Sequence, residues 1–131
     1  MDYEIKIFSS LNDELKKDWQ NLEIESYNYC FQCYDWFENW INSYRVNNQN
    51  FLFCIVVVKY NSKVICIFPF EIERKFKFNI LKWAGDKQAD YCSPLLSKDF
   101  NFDKKTFVNL FSKVFDVIKN IDVIYLIKQP E

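Results

Sequence analysis

The sequence predicts a mixed α+β domain with a mostly antiparallel central sheet flanked by helices. Three observations predict this class. Apolar residues recur at helical spacing in three segments, and the other apolar segments are rich in β-branched and aromatic residues. The third is a hydrophobic hairpin in the middle of the chain, where two such strands are separated by Asn61-Ser62. The predicted order is β-α-α-β-β-β-α-β.

The first strand and helix are predicted from opposite periodicities. Tyr3–Phe8 alternates apolar and polar residues, with Tyr3, Ile5 and Ile7 on the half-buried side. Ser10 and Asp13 then form a loose capping box for a helix. The buried stripe of that helix is predicted to be Leu11, Leu15, Trp19 and Leu22.

The segment FQCYDWFENW, residues 31–40, opens the second helix. From Asp35 onward the apolar residues fall at i, i+1, i+4, i+5 and i+8, which is helical amphipathicity. Cys33 stands at or just before the cap, and a thiol is a poor cap, at a cost on the order of 1 kcal/mol. The apolar side is predicted to be Trp36, Phe37, Trp40, Ile41 and Tyr44.

Three strands are predicted next, in Phe51–Tyr60, Lys63–Phe70 and within Phe76–Trp83. The first contains an apolar run without alternation, residues 55–58, so both of its faces should be covered. Pro69 should limit the ladder near the end of the second. An irregular stretch, 86–101, leads to a last helix around Phe107–Ile118 and a last strand, 122–127.

Composition indicates one globular domain, residues 1–131. Of the 131 residues, 50% are hydrophobic, 20% are aromatic and one is glycine, which excludes a disordered or linker-rich chain. The net charge of −1 gives no overall field for nucleic acid or anionic lipid, so no nucleic-acid partner is expected.

Three observations predict the cellular compartment of the protein. The start, MDYEIKIFSS, lacks the order of a signal peptide. The longest apolar run, Phe51 to Val58, is far shorter than the ~20 residues that span a bilayer. Five cysteines, an odd number, then indicate reduced thiols. A cytoplasmic protein without a membrane span is expected.

Cys30 and Cys33 form a Cys-x-x-Cys pair that could indicate a metal or redox site. A structural zinc site needs four soft or imidazole ligands, but the chain has no histidine, and Cys54, Cys66 and Cys92 are scattered. The segment before the pair is also not strand-like, as a redox motif requires. Unremarkable thiols and no metal site are therefore predicted.

Two further features carry alternative interpretations. Arg74–Phe78 interleaves bases and rings and could bind single-stranded nucleic acid, or it could be a solvated hairpin end whose alternate residues face the core. Glu71 and Glu73 offset much of its charge, which favours the second interpretation. Asp90 could serve as a base or bind an acceptor, or it could be a turn residue. Without histidine no Ser-His-Asp or Cys-His arrangement exists, and no catalytic residue is predicted.

Two motifs, in this order, resemble the N-terminal region of bacterial GNAT-like acetyltransferases. They resemble in particular the cellulose-biosynthesis (CelD/BcsL) type, which is related to Fem-type aminoacyltransferases. Members typically carry Pro-Phe-Gln-Ser-x-x-Trp-Leu-x-x-Trp, matched at Phe31, Gln32, Trp36 and Trp40. They also carry Leu-x-x-x-Gly and Asp-Tyr-x-x-Pro-Leu, matched at Leu81, Gly85, Asp90, Tyr91, Pro94 and Leu95.

The resemblance implies a GNAT-like fold and two GNAT-like domains in tandem, of which the C-terminal one carries acyl-CoA. A cofactor-binding GNAT loop needs glycines so that the backbone can approach pyrophosphate at a helix N-terminus. Between Gly85 and Asn101 this chain has no further glycine. We therefore expect a degenerate, scaffolding and acceptor-side domain that binds no cofactor, either a fragment or a shortened relative.

The remaining expectations also come from the resemblance. A C-terminal GNAT domain, in the same or a neighbouring chain, would hold the acyl thioester, which an acceptor amine or hydroxyl of an envelope sugar or amino acid would attack. Gln32, Asp90 and Tyr91 are the candidate acceptor-site residues. The alternative is a stand-alone, non-catalytic binding or interaction module.

Overall fold

The structure, a computed structural model, describes residues 2–27, 33–44, 51–85 and 93–127. Within these ranges the chain forms three helices and seven strands: β1 Glu4–Phe8, α1 Asp13–Ile24, β2 Ser26–Tyr27, α2 Tyr34–Tyr44, β3 Phe51–Tyr60, β4 Lys63–Lys75, β5 Phe78–Trp83, β6 Leu95–Ser97, α3 Lys104–Val117 and β7 Val123–Ile124. All eight predicted elements occur in the predicted order. The strands β2 and β6 are additional, and β6 lies in the stretch that the sequence left irregular.

The strands form one sheet in the order β1-β3-β4-β5-β7, with β2 and β6 off this path. Its pairs are antiparallel except for β5 and β7, which run parallel with Ile80 opposite Val123. The short strand β6 pairs with both β2 and β4. The predicted α+β class with a mostly antiparallel sheet is confirmed.

Helices cover both faces of the sheet. Alternate residues of β3 point to opposite sides: Phe53, Ile55 and Val57 pack with α1 and α2, whereas Cys54, Val56 and Val58 pack with α3. We call these sides the α1/α2 face and the α3 face. The prediction that residues 55–58 are covered on both faces is confirmed, because each of them is buried.

Helix α1 buries three of the four predicted stripe residues, with Leu15, Trp19 and Leu22 at most 2% exposed; Leu11 lies before the helix and is only partly buried. Its cap differs from the prediction. The Oδ1 atom of Asn12 accepts a hydrogen bond from the Leu15 N–H at 2.8 Å. The capping box at Ser10 is wrong because the helix begins at Asp13, which places Asn12 at the cap position.

The two terminal strands are shorter or less regularly buried than predicted. In β1, Ile7 is 39% exposed and Phe8 is buried on the α1/α2 face; among the described strands, β1 is an edge strand that pairs with β3 alone. In β7, ladder pairing is confined to Val123 and Ile124, which lie opposite Ile80 and Leu81. None of the helices in the described ranges is long and apolar enough to cross a membrane.

Strand β4 continues through Pro69, so the predicted limit on this strand is wrong. The Pro69 carbonyl accepts a hydrogen bond from the Ala84 N–H at 2.8 Å, on the side away from β3. The N and O atoms of one strand residue point the same way, so the missing N–H also faces away from β3. On that side the partner of β4 changes from β6 to β5. Proline therefore costs the β3–β4 ladder no hydrogen bond.

Two tight turns join the central strands. Asn61 and Ser62 have φ of 52° and 66°, which confirms the predicted hairpin turn and suits the left-handed tolerance of asparagine. Phe76 and Lys77 have φ of 51° and 70° in the next turn. Side chains other than glycine and asparagine are disfavoured there, by roughly 1–2 kcal/mol per residue. Because Phe76 is 83% and Phe78 is 54% exposed, the prediction that alternate residues face the core is wrong.

Candidate functional site

The residues predicted for the acceptor site, Gln32, Asp90 and Tyr91, lie outside the described residues. They stay predictions, and so does the role of Cys30. Phe31 also lies outside them. The other motif residues are described: Trp36 and Trp40 in α2, Leu81 in β5, Gly85 just after it, and Pro94-Leu95 at the start of β6.

The two motifs meet at Gly85. The rings of Trp36 and Trp40 are stacked, with centroids 6.2 Å apart and planes 3° apart. A Cβ atom on Gly85 would lie 2.9 Å from Cη2 of Trp36 and 3.4 Å from Cε2 of Trp40. Gly85 also has a φ of +73°. Both the backbone conformation and the close approach therefore require glycine, and the contact joins α2 to the end of β5.

Three charged residues lie on the α1/α2 face of the sheet, which we call the Glu–Lys cluster: Glu71 and Glu73 of β4 and Lys82 of β5. Glu71 and Lys82 are opposite each other in the ladder and are 5% and 8% exposed. The Lys82 Nζ lies 3.3 Å from Oε2 of Glu73 and 4.0 Å from Oε1 of Glu71. Burial of a charge is costly unless an opposite charge compensates it, so each group depends on the others.

The surroundings of the cluster are aromatic. Glu71 lies opposite Phe53 of β3, whose ring makes an edge contact of 5.7 Å with the ring of Trp40. Phe53 and Trp40 thus border the buried carboxylate on this face.

Sequence reasoning did not find this cluster, because it assigned Glu71 and Glu73 to the neighbourhood of Arg74–Phe78. The available signal was the spacing of two carboxylates at i and i+2 in a strand that is otherwise apolar, which places both on one face. Their partner could not be found from the sequence, because Lys82 comes from the next strand and depends on the register.

A carboxylate from α1 caps α2. The Oε1 atom of Glu23 accepts a hydrogen bond from the Tyr34 N–H at the first residue of the helix. This acceptor offsets the weak cap that Cys33 provides. Burial raises the pKa of Glu23 above its usual 4.5; the Tyr34 N–H acts in the opposite direction, and Asp35 adds to the rise.

Replacement of Glu23 tests this cap. Glu23→Ala is expected to lower the free energy of unfolding by about 1 kcal/mol, and Glu23→Gln by less, since its amide oxygen still accepts. The native carboxyl, with its raised pKa, binds a proton more tightly than the unfolded one. Its contribution to stability is thus greatest at acid pH and falls as pH rises above 4.5. Urea unfolding of the native chain and both variants across this pH range measures the contribution of Glu23. If the free energy of unfolding of Glu23→Gln had the same pH slope as that of the native chain, the prediction would be wrong.

The described thiols are poor nucleophiles. Burial raises the pKa of Cys54 to about 11 and that of Cys66 well above its usual value. Cys33 is only half-buried. In the described part of the chain, no three cysteine, aspartate or glutamate residues are placed to hold a metal ion.

Alkylation should distinguish these thiols. Because the thiolate is the reacting form, we expect Cys54 and Cys66 to resist iodoacetamide at pH 7–8 in the native protein and to react fully in urea. Peptide mass spectrometry measures the extent at each position. Native labelling of Cys66 as fast as that of Cys33 would contradict the packing described for the α3 face.

The N-terminus of α3 is capped by Asp103, another residue that sequence reasoning missed. The Thr106 N–H donates to Oδ1 of Asp103 at 2.7 Å. Hydrogen bonds from the backbone and side chain of Thr106 hold the pKa of Asp103 below its usual value. The helix end therefore already has an anionic partner at neutral pH.

A solved structure shares this arrangement of elements. The crystal structure of a GNAT family acetyltransferase from Staphylococcus aureus subsp. aureus USA300_TCH1516 matches with a TM-score of 0.58 over 99% of this chain and 89% of that chain, at 11% identity. The chain has the GNAT fold. No protein-family model and no curated protein matches the sequence.

Helix α3 follows β6 and precedes β7. Strand β7 pairs in parallel with β5, and this is the one parallel pair among the described strands. The residues at the N-terminus of α3 do not fit the pyrophosphate of an acyl-CoA, because the Asp103 carboxylate occupies a helix N–H group and no glycine occurs in residues 86–103.

Proposed function

We propose that this chain is the N-terminal, scaffolding and acceptor-side domain of a GNAT-type acyltransferase, and that it binds no acyl-CoA itself. A second GNAT domain, in the same or a neighbouring chain, would hold the thioester. The observation that carries the proposal is the Asp103 carboxylate on the helix end where a cofactor-binding GNAT domain would hold pyrophosphate. The GNAT fold and the occupied helix end both support a domain that leaves the thioester to a second domain.

The buried Glu–Lys cluster supports a scaffolding role. Its charge contacts join β4 to β5 on the α1/α2 face, beside the aromatic contact of Trp40 and Phe53. By the resemblance to the CelD/BcsL and Fem types, the acceptor would be an amino-acid or sugar group of the cell envelope, met in the cytoplasm. Gln32, Asp90 and Tyr91 remain the proposed acceptor-site residues.

Thermal unfolding with acetyl-CoA tests the proposal. We expect no rise in melting temperature, because only a ligand that binds the native state stabilises it. A ligand at a hundred times its dissociation constant would add about 2.7 kcal/mol, a shift of several degrees for a domain of this size. A GNAT acetyltransferase with an intact glycine-containing loop is the positive control. A saturable rise for this chain would contradict the proposal.

The reading frame downstream separates the proposal from its alternative, a stand-alone binding module. An in-frame or adjacent second GNAT domain with a glycine-containing loop would support the acyltransferase half. A stop codon with no such domain nearby would favour the module.

A further inference from the structure

The end of the β4–β5 hairpin, residues 74–78, has no further strand paired beside it in the described part of the chain; we call it the hairpin tip. The described part of β3 pairs with β4 as far as Glu73, and β7 pairs with β5 from Ile80, with Asn120 and Asp122 hydrogen-bonded to Asn79 just before it. Phe76, at the turn, is 83% exposed and Phe78 is 54% exposed. Two aromatic rings are thus presented to solvent at the end of a ladder that the described strands leave uncovered.

The residues of this turn do not suit its backbone conformation. Phe76 and Lys77 both have positive φ, in a turn where asparagine and glycine are the favoured residues. The β3–β4 turn has the same geometry and carries Asn61 at the first position. Asparagine or glycine at position 76 would therefore give a more stable turn than phenylalanine. Strain that the packing does not require indicates a function for the side chain that bears it.

The hairpin tip is also locally cationic. Arg74, Lys75 and Lys77 are exposed, and the Lys75 Nζ lies 5.8 Å from the centre of the Phe76 ring. The sequence suggests that Glu71 and Glu73 offset these charges, but both carboxylates face Lys82 in the Glu–Lys cluster. Among the ion pairs of the described residues, none involves the tip. The tip therefore keeps a formal charge of +3.

We infer that the hairpin tip docks this domain on an anionic membrane surface. Phe76 would enter the boundary between headgroups and acyl chains, as exposed aromatic side chains do, and the three cations would contact anionic headgroups. The positive φ angles of Phe76 and Lys77 place the Phe76 ring at the turn of the hairpin. This inference is independent of the function proposed above.

Charge distribution favours a membrane over single-stranded nucleic acid. With a net charge of −1 for the chain and +3 at the tip, the remaining residues sum to −4. A nucleic acid that tracks across the protein would meet this negative surface. A flat membrane that contacts only the hairpin tip would not meet this negative surface. Stacking sites for nucleic acid also need rings in a cationic groove, whereas Phe76 and Phe78 are exposed at the end of a hairpin.

Co-sedimentation with vesicles tests the inference. The native chain should sediment with vesicles of equimolar phosphatidylglycerol and phosphatidylcholine, but not with phosphatidylcholine alone, and added salt should weaken binding. Phe76→Asn should bind about tenfold more weakly, while its melting temperature stays equal or rises because asparagine suits the turn. Ile24→Asn is the matched control, since Ile24 is 81% exposed in α1; its vesicle binding should be unchanged.

A charge comparison completes the test. The triple replacement of Arg74, Lys75 and Lys77 by glutamine should abolish vesicle binding. Replacement of the exposed Lys17, Lys104 and Lys105 by glutamine changes the net charge by the same amount and should leave vesicle binding intact. Failure of the native chain to bind anionic vesicles, or equal binding by Phe76→Asn, would overturn the inference. The inference would also be overturned if the native chain bound a single-stranded oligonucleotide through Phe76 and did not bind vesicles.

Discussion

Lys82→Met is expected to lower the free energy of unfolding by about 3–5 kcal/mol, the range found when one partner of a buried ion pair is removed. Lys82 lies 3.3 Å from Glu73 and 4.0 Å from Glu71, and Glu71 is 5% exposed. The variant leaves a buried carboxylate without this ammonium, and methionine cannot compensate it. Denaturant unfolding near neutral pH measures the loss.

Two comparisons make the Lys82 result specific. Adding Glu71→Gln to Lys82→Met should restore part of the stability, because it removes the buried charge. The exposed pair of Lys6 and Glu14, 2.7 Å apart, is the control: Lys6→Met should cause no measurable loss, because solvent screens exposed pairs. Equal losses in the two methionine variants would contradict the buried arrangement.

Gly85→Ala is expected to cost about 2–4 kcal/mol, the sum of left-handed backbone strain and overpacking. The φ of Gly85 is +73°, and the added Cβ would lie 2.9 Å from the Trp36 ring. A rigid indole that is stacked on Trp40 can move only by disturbing the α1/α2 face. The measurement is again denaturant unfolding, with near-ultraviolet circular dichroism to follow the tryptophans.

Two variants separate the causes at Gly85. Asn120 has a φ of 64° and is exposed, so Asn120→Ala measures the backbone strain without the clash. Trp36→Phe removes the outer ring atoms that the new Cβ would meet, so Gly85→Ala should cost less in that background. If Gly85→Ala cost no more than Asn120→Ala, the contact between the two motifs would be refuted.

The candidate site was only partly accessible from sequence. The motif positions Trp36, Trp40 and Gly85 were identified, and they meet in the structure. The Glu–Lys cluster and the Asp103 cap were not identified. The first depends on strand register, and the second on a helix start three residues before Phe107. Gln32, Asp90 and Tyr91 lie outside the described residues, so their role stays a prediction.

What the sequence by itself determined is the kind and order of the elements. The signals are helical stripes, runs rich in β-branched residues, and the Asn61-Ser62 turn. Each is formed by residues close together in the chain, so it can be identified without knowledge of the fold. Tertiary structure alone decided that Glu23 caps α2, that Lys82 compensates Glu71, and that Phe76 stands exposed at a strained apex. Each depends on which distant segments pack together, and periodicity along the chain does not encode that.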